Sequence, residues 1–303
     1  MNNTDLENFN LDMEARGLAK ISQATIKWAV QRYLRWCDTN NLYAEKGRRD
    51  DLVAYLSHLK ESKLKQRSIK SDFSYLSIWF SYLVERGTLA SNPIPSISKR
   101  YLKSYKAETP QRKMLTIEEA ARMVQATLDS RDRCVLLLLL KTGVRRHELA
   151  ELDITDVDLD DQSILLKPTA KRSNNRTVFF DPEAKYALQK WIKNRERRRI
   201  DDQDALFVSY SGRRLSNAAI DRIVLKAGAR VGLHDAEAKK SENFTVHCAR
   251  HFFTTCLIRS GMPRDFIKEL RGDARREAID IYNHIDKKEL KESYLVHIPK
   301  LGI

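Results

Sequence analysis

The amino-acid sequence predicts a mainly α-helical protein with a small β-sheet, built as a small all-helical N-terminal domain followed by a larger α+β domain. Apolar residues recur at helical spacing along most of the 303 residues. Only two short segments, 164–166 and 177–180, have the pattern of strands. A polar, basic stretch containing Pro110 separates the two helix-rich regions. We therefore expect domains at residues 1–98 and 114–303, joined by an extended linker at 99–113.

The N-terminal domain is predicted to contain three helices. Residues 1 to about 20 are polar and are expected to be partly loose. The first helix lies within residues 22–37, the second follows Asp50, and the third spans about 68–86. Each helix has an apolar stripe; in the second helix, the stripe consists of Leu52, Tyr55, Leu56 and Leu59. The core is also expected to contain the tryptophans Trp28, Trp36 and Trp79.

The second domain begins with a capping-box pattern, in which Thr116 is the N-cap and Glu119 follows three residues later. A buried helix over 133–141 is expected to stop at Gly143. The two strands flank a basic turn and form a hairpin. The remaining helices are predicted to open at 144–149 and to lie at 182–199, at 218–231, around His247, at 264–270, around Tyr282 and at 287–296.

The chain is strongly basic, with 55 Lys and Arg residues against 41 Asp and Glu residues and a formal net charge of +14. This excess is spread along the chain, so it favours a polyanionic partner, and nucleic acid is the usual one. Some basic residues are expected to contact a phosphate backbone, although a solvated face is the alternative. These candidates are Arg48, Arg49, Lys65, Arg67 and Lys70 in the first domain, and Arg172 and Arg176 in the second.

Cysteine usage and hydropathy favour a cytosolic protein. None of the four cysteines forms a C-x-x-C pair, which favours reduced thiols. The first residues lack the apolar core of a signal peptide. The longest apolar run, 134–140, is too short to span a bilayer, so no membrane partner is expected.

Five residues in separated segments suit attack on a phosphodiester without a metal or other cofactor: Arg145, Lys171, His247, Arg250 and Tyr282. Arginines can hold the non-bridging oxygens and neutralise the charge that develops in the transition state. A tyrosine can act as a covalent nucleophile, and a lysine and a histidine can transfer protons. A zinc site is the alternative for His247 and His251, four residues apart, but no third ligand is evident.

With these motifs in this order, the chain resembles the tyrosine recombinases of the Xer and phage-integrase family. The family's T-G-x-R-x-x-E-L box matches residues 142–149, its H-x-x-R-H box matches 247–251, and its nucleophile box matches 281–284. Lys171 matches the family's hairpin lysine. The resemblance implies a SAM-like core-binding domain followed by a tyrosine recombinase catalytic domain, which together clamp double-stranded DNA at a specific recombination site. It also implies a cytoplasmic, nucleoid-associated location.

One position departs from the family pattern. Nine residues before Tyr282, where the family usually has His or Trp, this chain has Asp273 in the stretch Leu-Arg-Gly-Asp. An ionised aspartate cannot donate to a phosphate, so its expected role is to orient Arg250 or His247 as an acceptor. This variant, with the context of residues 278–282, resembles archaeal members or an archaeal mobile element.

The resemblance implies that Tyr282 forms a 3′-phosphotyrosyl link, which the 5′-hydroxyl of a partner duplex then resolves, without metal or ATP. It implies a homotetramer on two duplexes that exchanges a C-terminal tail, here the apolar stripe of Leu290, Tyr294, Leu295 and Ile298. Packing of this tail within its own subunit is the alternative. The alternatives for function are relaxation of DNA like that of type IB topoisomerases, or a non-catalytic DNA-binding regulator.

Overall fold

The structure, a computed structural model, describes residues 3–102, 114–168, 175–198, 200–235, 237, 243–273 and 285–303. The predicted site residues Lys171, Arg172 and Tyr282 lie outside these ranges, as does the predicted helix around Tyr282. The chain divides into two compact units, Met1–Thr109 and Pro110–Ile303. Each unit is described by itself below.

The first unit is all-helical in the part that the structure describes. Its α-helices are α1 (Asn3–Ala15), α2 (Lys20–Thr39), α3 (Arg49–Glu61), α4 (Gln66–Glu85) and α5 (Ile94–Ile97). A 3₁₀ turn at Ala44–Lys46 precedes α3, and a π-helical turn at Ser98–Leu102 follows α5. The three predicted helices correspond to α2, α3 and α4.

The expectation that residues 1 to about 20 are partly loose is wrong, because α1 covers most of them. Phe9 and Met13 are fully buried in the core, and Leu6 packs against it. These residues recur at i, i+3 and i+7, so a short apolar face attaches an otherwise polar helix.

Aromatic rings form much of the core of the first unit. Tyr33 meets Tyr55 and Trp79 edge to face, with ring centroids 5.0 and 6.1 Å apart. Trp79 is buried as expected, whereas Trp36 is half-buried. The expectation for Trp28 is wrong, because it is 52% exposed and lies under the guanidinium of Arg32.

The predicted linker starts with residues that fold with the first unit. Leu102, at the end of the π-helical turn, is buried in the aromatic core, and Tyr101 packs against it. Residues 99–102 therefore lie in the first unit, and residues 103–113 lie outside the described ranges.

The second unit combines helices with a small sheet. Its described helices are α6 (Ile117–Gln125), α7 (Ser130–Thr142), α8 (Arg146–Ala150), α9 (Pro182–Arg195), α10 (Asn217–Arg230), α11 (Val246–Arg259), α12 (Arg264–Arg271) and α13 (Lys287–His297). The predicted capping box is present at α6. The Thr116 hydroxyl accepts from the Glu119 N–H over 3.1 Å, and the Glu119 carboxylate accepts from the Thr116 N–H over 3.0 Å.

The sheet is antiparallel and has the order β1 (Val157–Asp158), β2 (Ser163–Leu166), β3 (Arg176–Phe179). The predicted hairpin corresponds to β2 and β3, in which Ile164 pairs with Val178. The sequence did not predict β1, because its two residues lie in an acidic stretch with the character of a loop. Strand β3 brings Arg176 into the interior.

Helix α7 is the centre of the main core, since every residue from Cys134 to Leu140 is buried. A second apolar cluster joins the end of β3 to α11, α12 and α13. Leu290, Tyr294 and Ile298 are buried in it, and the Tyr294 hydroxyl donates to the carbonyl of Lys141 over 2.9 Å. In this chain the C-terminal helix therefore packs on the unit to which it belongs.

A buried cation ties the last residues of the chain to the same unit. The fully buried Lys141 ammonium donates to Asp181 over 2.5 Å, to Glu183, and to the carbonyl of Pro299 over 2.6 Å. The Glu183 carboxylate also accepts from the backbone N–H groups of residues 301, 302 and 303. The chain end is thus held by a carboxylate that Lys141 neutralises.

The fold class predicted from the sequence is confirmed: the chain is mostly helical with a small sheet. Among the described residues, the structure contains no helix that is both long enough and apolar enough to cross a bilayer.

Candidate active site

Arg145 is positioned by the tight end of α7. Gly143 follows the helix in the left-handed conformation, with φ of 60°. A Cβ at this position would lie 2.3 Å from the ring of Phe253, so both the backbone angle and the space require glycine. The chain then extends through Arg145, which is the N-cap of α8. The T-G-x-R spacing therefore places the end of α7, the close contact with Phe253 and the N-cap of α8 within four residues.

The carboxylate of Glu148, three residues later, holds Arg145 in place. It accepts from the Arg145 backbone N–H over 2.7 Å and from Nη1 over 3.1 Å. Arg176 binds the same carboxylate with both terminal nitrogens, at 2.6 and 2.7 Å. Burial by itself raises the pKa of Glu148, but the hydrogen bonds and charges of Arg176 and Arg145 outweigh it and lower the pKa to about 2. Glu148 is therefore a permanent anion that orients Arg145.

The structure corrects the prediction for Arg176. We expected it to contact DNA, but its side chain is only 2% exposed. Its guanidinium binds Glu148, and its Nε donates to the carbonyl of Leu270 over 3.2 Å. A buried arginine saturated in this way cannot reach a phosphate backbone. From β3, Arg176 instead binds the Glu148 carboxylate and a carbonyl at the end of α12.

Arg250 extends from α11 into the same region and is almost completely buried. Its Nη1 donates to the carbonyl of Gly143 over 2.6 Å, and its Nη2 donates to the carbonyl of Arg271 over 2.7 Å. Burial, together with the nearby charges of Arg145 and Arg271, lowers the pKa of Arg250 to about 10. The group therefore stays positively charged at neutral pH, although its surroundings disfavour the charge.

The two predicted phosphate-binding arginines meet at the C-terminus of α12. Arg145 Nη1 donates to the same Arg271 carbonyl over 3.3 Å, and its Nη2 donates to the carbonyl of Gly272 over 3.4 Å. Free carbonyls at a helix C-terminus carry partial negative charge, which offsets the two cations. Arg145 keeps 35% of its side chain exposed and Arg250 only 9%, so the pair meets solvent mainly through Arg145.

Asp273 lies directly beside this pair. Gly272 ends α12 with φ of 64°, and the Asp273 N–H donates to the carbonyl of Lys268 over 3.1 Å. One carboxylate oxygen, Oδ1, lies 3.4 Å from Arg250 Nη2 and 3.9 Å from Arg145 Nη2. Asp273 therefore lies where it can accept from Arg250, and its role in orienting that arginine stays a prediction.

Sequence reasoning missed Arg271. Its Nε lies 2.9 Å from Asp273 Oδ2, a distance typical of an ion pair, although the N–H is not aligned as a hydrogen bond. Its Nη1 donates to the hydroxyl of Thr254 over 3.3 Å. The signal was present in the sequence, because Arg271 lies two residues before Asp273, but nothing local shows that the two side chains meet.

His247 lies in the first turn of α11, three residues before Arg250, and is exposed. Its ring packs edge to face on His251, with centroids 4.6 Å apart. The i, i+3 spacing places His247 and Arg250 on neighbouring positions of one helix face, as the sequence predicts. Within the described ranges, no three His, Cys, Asp or Glu side chains are grouped as metal ligands.

The other predicted site residues are distributed as follows. Lys171, Arg172 and Tyr282 lie outside the described residues, so their relation to the arginine pair stays a prediction. The predicted DNA-contacting residues of the first unit are all exposed, at or near the N-termini of α3 and α4: Arg48, Arg49, Lys65, Arg67 and Lys70.

Comparison with known sequences matches both parts of the chain to one family. Residues 113–289 match the Phage integrase family, and residues 6–88 match the phage integrase N-terminal SAM-like domain. Tyrosine recombinase XerC of Thermodesulfovibrio yellowstonii is 31% identical over 249 residues, 78% of either protein. Tyrosine recombinase XerC of Haemophilus influenzae strain PittEE is 30% identical over 244 residues, 79% of this chain and 77% of that protein.

Solved structures share the fold. The Tn1549 transposon integrase in complex with a circular intermediate DNA has a TM-score of 0.70 at 19% identity, covering 94% of this chain and 96% of that one. A lambda integrase dimer bound to a COC′ core site has a TM-score of 0.66 at 18% identity, covering 93% and 97%. With the family matches and the arginine pair described above, these comparisons show that the chain belongs to the phage integrase family of tyrosine recombinases.

Proposed function

We propose that the chain is a site-specific recombinase that cuts and rejoins double-stranded DNA through a 3′-phosphotyrosyl intermediate. The observation that carries this proposal is the convergence of Arg145 and Arg250 on the carbonyl of Arg271. Two guanidinium groups so placed can bind the two non-bridging oxygens of one phosphodiester. Glu148 and the carbonyls of α12 hold them before the substrate arrives, which is the arrangement that stabilises developing charge best.

In the proposed reaction, the phenolic oxygen of Tyr282 forms a bond to phosphorus, and the bond from phosphorus to the 5′-oxygen breaks. The departing 5′-oxygen takes a proton from Lys171, and the phenol gives its proton to His247. The 5′-oxygen of a partner strand then bonds to phosphorus and gives its proton to Lys171, while the bond from phosphorus to the phenolic oxygen breaks and His247 returns the proton to Tyr282. The covalent link conserves the energy of the phosphodiester, so the proposal includes neither metal nor ATP.

The DNA contacts of the first unit are proposed from charge placement. Lys65 occupies the N-cap position of α4, and Arg67 and Lys70 follow within its first turns, where the helix dipole disfavours positive side chains. A phosphate backbone would offset both the dipole and these charges. Arg172 is proposed to contact DNA as well. Affinity for DNA should accordingly fall steeply with salt.

We further propose assembly as a tetramer on two duplexes, with exchange of the C-terminal segment between subunits. The tail contacts that hold α13 in its own unit would then be released and formed again with a neighbour. Deletion of residues 288–303 should weaken synapsis of two duplexes more than binding of one. Equal loss of both would count against exchange.

The test begins by enriching a binding site from random duplexes, because the target sequence is unknown. Nicked versions of that site trap a covalent intermediate, since the short strand released by cleavage diffuses away. The wild-type chain should form a protein–DNA adduct, and Tyr282→Phe should form none while it still binds the duplex. Adducts that persist in Tyr282→Phe would refute the role of Tyr282.

The wild-type chain and the variants Arg145→Ala and Arg250→Ala distinguish the recombinase from the two alternative functions. A topoisomerase-like activity would relax supercoiled plasmid without joining strands of two duplexes. A non-catalytic regulator would bind the enriched site without forming adducts, and its function would survive Arg145→Ala and Arg250→Ala.

A further inference from the structure

The arginine cluster contains one anion that the proposed reaction does not use. The Asp273 carboxylate lies within reach of three guanidinium groups, which come from three different elements. Its Oδ1 faces Arg250 and Arg145, at 3.4 and 3.9 Å, and its Oδ2 faces Arg271 at 2.9 Å. The Glu148 carboxylate also lies beside the pair, but both of its oxygens already accept from Arg176. Among the described residues, Asp273 is the other acidic group beside the pair.

We propose that Asp273 is a built-in counter-anion, which holds Arg145 and Arg250 together without DNA and is retained by Arg271 alone when a phosphodiester enters. This inference rests on the proposed function, because it assumes that the arginine pair binds phosphate. It assigns to Asp273 and Arg271 the role of positioning residues that set the affinity of the site for phosphate.

The first step of the argument is charge balance. Arg145, Arg250 and Arg271 bring three positive charges to one small region, and Arg250 is almost completely buried. Like charges at such distances repel, and water cannot screen them fully in a buried site. The Asp273 carboxylate contacts all three and so lets them stay together in the free protein.

The second step is competition. A phosphodiester bound by Arg145 and Arg250 would place negative oxygens beside Asp273 Oδ1. The carboxylate and the phosphate would then share the same cations and repel each other. Asp273 must therefore weaken phosphate binding for as long as it stays against the pair.

The third step is the asymmetry of the carboxylate. Its second oxygen is paired with Arg271, which the Thr254 hydroxyl also holds. Arg271 can therefore still pair with Asp273 and balance its charge after Arg145 and Arg250 have moved from Oδ1 to the phosphate. Without Arg271, a displaced Asp273 would be left as an uncompensated anion next to the bound phosphate.

A double-mutant cycle tests this arrangement. Wild type, Asp273→Asn, Arg271→Ala and the double variant are titrated with inorganic phosphate and with the enriched duplex. Asp273→Asn should bind phosphate more tightly, by roughly tenfold, because a competing charge is gone. Arg271→Ala should weaken binding strongly in the wild-type background and much less in the Asp273→Asn background, so the two effects are coupled.

Asp265→Asn is the matched control, since it removes one acidic charge from the exposed start of α12, where Asp265 pairs with Lys268. It should leave phosphate affinity near that of wild type. Thermal unfolding shows whether each variant is folded, and Arg271→Gln replaces Arg271→Ala if the latter is not. The proposal is overturned if Asp273→Asn binds no more tightly than wild type, or if Arg271→Ala has the same effect in both backgrounds.

These outcomes differ from failure of the proposed function. Phosphate binding does not need Tyr282, whereas adduct formation does. A wild-type chain that forms adducts but shows no coupling in the cycle would overturn the counter-anion alone. A chain that shows the coupling but forms no adducts would overturn the recombinase chemistry.

Discussion

Glu148 shows how one buried carboxylate can organise an active site through the two arginines that it binds. Its two oxygens receive the paired guanidinium of Arg176 and the backbone and side chain of Arg145. A buried ion pair contributes little to net stability when intact, but removing one partner leaves a buried charge without compensation. The residue therefore links the stability of the fold to the position of Arg145.

We predict that Glu148→Gln destabilises the chain by about 3–5 kcal/mol, because Arg176 keeps its charge in a buried site. The measurement is urea unfolding followed by circular dichroism. The control is Glu151→Gln, which alters an exposed glutamate at the end of the same helix and should change stability little. Similar losses in both variants would contradict the prediction.

The low pKa of Glu148 predicts a pH dependence for the same pair of proteins. The folded-state pKa of about 2 lies below the ordinary value of 4.5, so folding favours the ionised form. This contribution is complete above pH 4.5 and is lost as pH falls toward 2. The stability difference between wild type and Glu148→Gln should therefore shrink over that interval. A difference that stays constant would show that Glu148 is not ionised preferentially in the fold.

Arg250 binds two backbone carbonyls and also lies next to Arg145. A lysine cannot reproduce both backbone contacts. Its guanidinium donates through Nη1 and Nη2 to carbonyls of two different elements, whereas an ammonium is a single point charge. We predict that Arg250→Lys lowers the rate of adduct formation on the order of 10²–10³-fold. The exposed Arg259, on the same helix, gives the control Arg259→Lys, which should retain the wild-type rate. Retention of activity in Arg250→Lys would indicate that charge alone suffices.

At the scale of elements, the end of α7 limits which residues position 143 tolerates. We predict that Gly143→Ala destabilises the chain by about 2 kcal/mol or more, because it adds a left-handed alanine and a clash with Phe253. Gly232→Ala is the control in the same unit, since Gly232 has φ of 71° and nothing within 4 Å of an added Cβ. The Gly232→Ala variant therefore measures the cost of a left-handed alanine without a steric clash. Equal destabilisation in the two variants would show that the contact with Phe253 relaxes freely.

Helices with a clear apolar stripe were predictable from local pattern, whereas α1 and β1 were not. The buried residues repeat over about two turns in α3 and about four turns in α4, and α6 has a side-chain cap. Helix α1 has only a short apolar face in a polar segment, and β1 contains two residues. Their formation depends on the surface against which they pack, and that surface comes from distant parts of the chain.

At the scale of the whole molecule, the chain end is held by a network that starts inside the core. Lys141 is fully buried between Asp181, Glu183 and the carbonyl of Pro299. We predict that a chain ending at Ile298 is destabilised by about 1–3 kcal/mol, because Glu183 loses its backbone donors and Lys141 loses an acceptor. Thermal unfolding checks this. The matched variant Lys300→Ala, which keeps the backbone donors, should unfold near the wild-type temperature, and an equal loss there would point to the side chain instead.

The sequence by itself determined the family and the fold class, because boxes such as T-G-x-R and H-x-x-R encode local turns and helix faces. The role of Arg145 and Arg250 in binding a phosphate stays a proposal. The archaeal affinity and the roles of Lys171 and Tyr282 stay predictions. Only the tertiary structure decided that Arg176 is buried against Glu148, that Arg271 joins Asp273, and that Trp28 is exposed. The physical reason is that burial and ion pairing depend on which distant segments meet. Arg176 and Glu148 are 28 residues apart, and Arg250 and Gly143 are 107 apart, so no local pattern records either contact.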